Sequence, residues 1–194
     1  MRRPKEKKKT ILVPIIAWLI VLGYLVFGPV IHTYLLRREG RPSRYAIDLI
    51  SIASKKEARG YLDRITPYLE QPDIFEVIGW GFSMMTPAEP TDVYITHLLV
   101  FSNARRYVFE TQPNQRASIN DTHKNLGLTI VNPGFTGLIN KHAIRDGAYC
   151  VGIVLTHPEN QTSQIILVDK VLRKAPFRFT LNDELDLPCK DYLK

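Results

Sequence analysis

FEVIGWGFSM, residues 75–84, sets a tryptophan between two glycines inside an apolar, strand-like run. Glycine weakens a strand, because it raises backbone entropy and has no side chain to pack. Two of them around the largest side chain mark a place where something approaches the backbone closely. Alternation puts Ile78, Trp80 and Phe82 on one face and Val77, Gly79 and Gly81 on the other. The face with the large side chains is expected to be the core face, which leaves the glycine face to a crossing chain or a neighbouring ring. The functional alternative for Trp80 is stacking on a sugar ring.

Outward from this stretch the chain is rich in β-branched and aromatic residues. Strand candidates lie at 44–52, 73–83, 92–102, 105–111, 126–131, 134–141, 148–156, 163–173 and 177–181. Turn clusters such as TPAEPT, QPNQ, NPG, RDG and HPENQT separate them, and no long helical pattern intervenes. Many short strands at this spacing predict an antiparallel sandwich or barrel. Residues 54–65 stay open, because Ser54 and Glu57 make a capping box for a short helix that Gly60 then interrupts. TPYLEQPD, 66–73, reads as a loop, and the charged stretch from Asn182 onward reads as peripheral.

A second motif, IRDGAYCVGIVL at 144–155, opens with an Asp146-Gly147 turn and then alternates Tyr149, Val151, Ile153 and Leu155 on one face. A strand entered through Asp-Gly-x-Tyr matches the tyrosine corner of Greek-key sandwiches, whose hydroxyl bonds back to the backbone upstream. Antibody-type domains carry a cysteine two residues after that tyrosine. Val151 holds that place here, and Cys150 points the other way.

Taken together, Gly79-Trp80-Gly81-Phe82, Arg116, Gly134-Phe135 and the 144–149 turn resemble the landmarks of small Ig-like β-sandwich modules of bacterial envelope and glycan-related proteins. Ser118-Ile119 departs from that pattern, where the modules have an Asp-Val pair. The resemblance covers about residues 73–172. It implies an accessory domain and brings no catalytic residues with it. The structural residues it singles out are Trp80, Gly79, Gly81, Phe135, Gly147 and Tyr149.

Ile11 to Leu36 contains no Asp, Glu, Lys or Arg. As helix its 26 residues reach about 39 Å, against a hydrocarbon core of about 30 Å. A cleaved signal peptide has a shorter apolar region and a small-residue cleavage site, and a buried core helix is seldom apolar at this length. The run is therefore expected to be an uncleaved single-pass transmembrane helix. Six basic residues precede it and four follow in 37–44, so the N-terminus is expected in the cytoplasm and the body outside the plasma membrane.

Residues 1–44 hold ten Lys/Arg and two Glu, which leaves sixteen Lys/Arg and seventeen Asp/Glu in 45–194. A near-neutral body argues against nucleic acid as a partner, although the whole chain is at +7. The expected organisation is a basic cytoplasmic tail (1–10), a transmembrane helix (11–36), a juxtamembrane linker with a first strand or short helix (37–72), a sandwich core (73–181) and a C-terminal tail (182–194).

None of His32, His97, His123, His142 and His157 has metal-type spacing to a second ligand, and no P-loop, G-x-S-x-G, H-E-x-x-H or G-x-G-x-x-G occurs. No catalytic, cofactor or metal residue is assigned. Cys150 and Cys189 are either a disulfide tying the tail to the body or two separate thiols. The loops at 86–92 and 112–125 are candidates for recognition, because sandwiches carry it on their end loops. The function these features predict is a membrane-anchored, non-catalytic binding or scaffolding module that contacts envelope glycan or another membrane protein. The alternative is a subunit recruited to a membrane assembly through its helix, with an envelope enzyme less favoured.

Overall fold

The computed structural model describes residues 9–43, 50–54, 57–69, 71–84, 94–123, 133–157, 163–176, 178–183 and 187–193. The expected strand at 126–131 and the loop at 86–92 lie outside these residues. The chain divides into two compact units, Met1–Arg38 and Glu39–Lys194.

In the first unit, α1 runs Lys9–Glu39 and contains the whole apolar run. Its side chains are described over 16–31. Among the described residues, no helix is long and apolar enough to cross a membrane.

The second unit is all-β. Nine strands are described: β1 (Ile50–Ile52), β2 (Ala58–Tyr68), β3 (Gln71–Ser83), β4 (Ile95–Ser102), β5 (Arg105–Asn114), β6 (Gly134–Asn140), β7 (Gly147–Thr156), β8 (Ser163–Ala175) and β9 (Arg178–Asn182). A short helix, α2 (Ala117–Thr122), follows β5. The strand order is β1-β8-β7-β4-β5-β6-β3-β2, and β9 also pairs with β8. Among the described residues, only the β1–β8 pairing is parallel. β5 joins the two halves of the sheet: Arg105–Glu110 pair with β4, and Thr111–Asn114 pair with β6. The sheet curls so that the halves face each other, and a Cβ added at Gly81 of β3 would lie 3.1 Å from Ile153 of β7.

The main core fills the space between the halves, with Leu62, Val77, Leu98, Phe135, Ile153 and Leu172 among its buried members. β7 behaves as its alternation requires: Tyr149, Val151, Ile153 and Leu155 enter this core, while Cys150 and Val154 face away.

β3 reverses the expected polarity of its faces. Val77 and the glycines face the main core, while Trp80 is half-buried on the opposite face. The reason lies in what stands against Gly79. A Cβ there would come within 2.8 Å of Phe135 Cζ and 2.9 Å of Leu62 Cδ2. The space that glycine vacates is occupied by a neighbour's ring, so the core sits on the glycine side. Phe82 is nevertheless buried, because Ile119 of α2 covers it from outside.

The described residues of 54–65 contain no helix. Ser54 and Glu57 do close a turn, with the Glu57 amide donating to Ser54 O at 2.9 Å and the Ser54 amide to the Glu57 carboxylate at 2.7 Å. From Ala58 the chain is strand, since its backbone finds partners along β3, Gly60 opposite Gly81. Pairing with β3 outweighs the local capping signal. The expected loop at 66–73 shrinks to a tight turn at Leu69, because Tyr68 still pairs with Gln71. Pro67 is tolerated in β2 as an edge strand.

The tail is not peripheral. Leu187, Tyr192 and Leu193 pack on a second buried cluster of Leu99, Phe101, Val108, Cys150 and Ile165. The two cysteines are disulfide-bonded, with Cα atoms 5.6 Å apart.

Tyr149 is 1% exposed and its hydroxyl donates to the Arg145 carbonyl at 2.7 Å. Gly147, at φ +151°, turns the chain into β7 in a region that L side chains rarely adopt. Tyr149→Phe removes the bond and leaves a carbonyl short of a partner. The expected loss is about 1–3 kcal/mol, read as a lower urea midpoint with an unchanged far-ultraviolet spectrum.

Candidate functional site

The outer face of β5, β6, β3 and β2 gathers the side chains that alternation turns away from the main core. Two features lie on it. The first is aromatic. Trp80 stacks on Phe82 at 5.8 Å between ring centroids, and His123, just past α2, meets both rings at 5.7 and 5.3 Å. Burial holds the His123 imidazole below the usual histidine range, and the positive charge of Arg59 adds to this. A neutral imidazole on an aromatic pair is a packing element with one polar edge.

Arg116 explains two landmarks at once. Its guanidinium pairs with Asp63, which sits at the bulge in β2 between Leu62 and Arg64. Its stem passes over Gly134, where a Cβ would come within 2.6 Å of Arg116 Cγ and 2.5 Å of Asn114 O. Only glycine leaves that passage open.

The second feature is a polar groove of about 530 Å³. Glu76 and Glu110 supply acceptors, Gln112 and Asn114 supply amides, and Tyr68 and Leu138 supply apolar surface. Asn114 Nδ2 donates to Thr136 Oγ1 at 3.4 Å, which fixes the amide's direction along the groove wall. Pairing builds this site: Gln112 stands opposite Thr136, and Leu138 opposite Glu76. The arrangement presents carboxylates, amides and hydroxyls beside one aromatic ring. Such a set suits a polyhydroxylated ligand held by hydrogen bonds and ring stacking.

The residues expected from the sequence do not converge on one site. Gly79, Gly81 and Phe135 lie in the core, and Gly147 and Tyr149 form the corner before β7. Cys150 and Cys189 tie the tail to the sheet. Trp80 alone reaches the outer face. The histidines are dispersed: His97 is buried in β4, His142 stands 3.5 Å from Asp73, and His157 packs edge-on to Tyr94 at 5.4 Å. Among the described residues, no group of three or more His, Cys, Asp or Glu is placed to hold a metal ion. Of the 112–125 stretch expected as a loop, 112–114 belong to β5 and 117–122 to α2. The groove itself was missed. Its signal in the sequence is the alternation of Glu76, Thr136 and Leu138 with core residues.

Compared with known proteins, the chain matches no family model, no curated protein and no solved structure.

Proposed function

We propose that this chain is a membrane-anchored binding module: an N-terminal helix held in the plasma membrane carries an immunoglobulin-like β-sandwich outside it, and the sandwich binds a polyhydroxylated envelope ligand without catalysis. The observation that carries the anchor is the apolar surface of α1. Trp18, Leu19, Tyr24 and Leu25 are 64–77% exposed, and no charged residue interrupts 11–36. A patch of that kind is expensive in water and favourable in lipid.

The strand order supports the sandwich. β2-β3-β6-β5 follows the A-B-E-D order of one immunoglobulin sheet, and β4-β7-β8 follows C-F-G of the other. The tyrosine corner then falls on the strand corresponding to F, as in that fold. The Cys150–Cys189 bond supports an oxidising compartment for the body. The groove of Tyr68, Glu76, Gln112 and Asn114 supports a glycan-like ligand over an acidic one, because two carboxylates line it.

The test is made on cells producing the full chain. Alkaline carbonate is expected to leave the protein in the membrane pellet, and external protease to digest the body from intact cells. Immobilised envelope glycan is expected to retain the detergent-solubilised chain, and Tyr68→Ala to reduce that retention. Release into the carbonate supernatant defeats the anchor, and a body that resists shaving defeats the orientation. Equal passage of wild type and variant through the glycan column defeats the ligand assignment.

A further inference from the structure

The body is neutral as a whole but not evenly so. At one end of the sheet lie the β2–β3 turn, the β4–β5 turn, the β6–β7 connection and the β8–β9 turn. Arg41, Lys141, Arg145, Arg173, Lys174 and Arg178 gather at this end, while residues 45–194 together carry one more acid than base. Asp73 and Asp146 are there too, paired with Lys141 and Lys174. Arg145, Arg173 and Arg178 are exposed. Arg173, Lys174 and Arg178 line a groove of about 610 Å³ with Thr180 and Asn182, a lining of cations and neutral donors. Among the described residues, the same end carries one large exposed hydrophobic side chain. Leu69, at the tip of the β2–β3 turn, is 74% exposed and held at φ +49°, a region leucine seldom enters.

This is also the end at which the chain enters the domain. The Asn140 amide donates to Gly40 O at 2.7 Å, and the Ser43 amide to Val108 O at 2.6 Å. Gly40 directly follows the last residue of α1, Glu39. Three residues, Arg37, Arg38 and Glu39, lie between Leu36, the end of the uncharged run, and Gly40, and the four steps rise about 6 Å as helix.

We propose that this end of the domain docks on the anionic headgroup layer of the membrane that holds α1, with Arg145, Arg173 and Arg178 on headgroup phosphates and Leu69 inserted at the interface. The inference rests on the anchor proposed above. Basic side chains beside an anionic surface act together and lose their effect beyond a Debye length, about 8 Å at physiological salt. An exposed leucine at the same end of the sheet as exposed cations is the side-chain pattern of an interfacial contact.

The experiment uses the full chain reconstituted into nanodiscs of phosphatidylglycerol or of phosphatidylcholine. Backbone amide exchange is followed at 68–69, 143–147 and 173–175. Slower exchange at these positions in the anionic discs alone, abolished in 1 M salt, is expected. Combining Arg145→Gln, Arg173→Gln and Arg178→Gln is expected to weaken docking by on the order of 100-fold, about the effect of losing three surface charges. Leu69→Ser alone is expected to expose 68–69 while the arginine contacts persist. All four positions are exposed, and far-ultraviolet spectra check that the variants keep their fold. A chain in discs whose loops exchange alike in both lipids overturns the docking and leaves the anchor standing. A chain recovered free of lipid overturns the anchor and the docking together.

Discussion

Cys189→Ala is expected to lower the stability of the β domain by about 4 kcal/mol. The Cys150–Cys189 bond closes a loop of 39 residues, and the chain-entropy relation gives about that value for such a loop. The bond also holds the tail on the outer face of β4, β7 and β8, where Leu187, Tyr192 and Leu193 cover Phe101 and Val108. Losing it frees both ends of that contact. In urea the midpoint is expected to fall by roughly 2 M, given slopes near 1–3 kcal/mol/M for domains of this size. A reducing agent supplies the control. It is expected to bring the wild type down to the variant and to leave the variant where it is. Equal midpoints for wild type under oxidising and reducing conditions would mean that the tail is held by packing alone.

The disulfide marks one boundary of what the chain's order of residues reveals. Its partners lie on a buried strand and in a charged tail, and only the folded path brings their Cα atoms to 5.6 Å. β7 was legible for the opposite reason. Its alternation is strict, both its faces are buried, and a turn residue with an unusual φ announces it. β3 was legible as a strand but not in its facing. Large side chains suggest a core face only when one side of a strand is covered, and here α2 covers the outer face as well. The helix signal at Ser54 and Glu57 was locally sound, and the amide–carboxylate bond it implies exists. It lost to the long pairing of β2 with β3. Alternation marks Glu76, Thr136 and Leu138 as outward-facing, but residues about sixty positions apart, Glu76 and Leu138, become neighbours only through register. The polarised charge of the docking end was hidden in the same way. Its cations come from the entry segment, the β6–β7 connection and the β8–β9 turn, and they cancel in a count over the whole body.

Phe135→Ala is expected to cost about 3–5 kcal/mol, the usual range for emptying a buried phenylalanine site. The ring is 0% exposed and fills the hollow over Gly79, between β3 and β2. For a domain of this size the loss lowers the melting temperature by roughly 10 °C. Gly79→Ala probes the same contact from the other side. Its methyl would meet Phe135 Cζ at 2.8 Å, Leu62 Cδ2 at 2.9 Å and Tyr61 O at 2.7 Å. Overpacking of this kind costs about 1–3 kcal/mol. The leucine methyl can rotate away, but the carbonyl belongs to the β2 backbone, so part of the cost persists whatever the ring does. The double variant separates the two parts. With the ring gone, the new methyl enters space that the ring had filled, and the combined loss is expected to fall short of the sum by at least about 0.5 kcal/mol. Strict additivity in urea titrations would show that the Tyr61 carbonyl, and not the ring, demands glycine at position 79. The core would then be sensitive to β2–β3 spacing, and the glycine pair around Trp80 would serve strand pairing instead of ring packing.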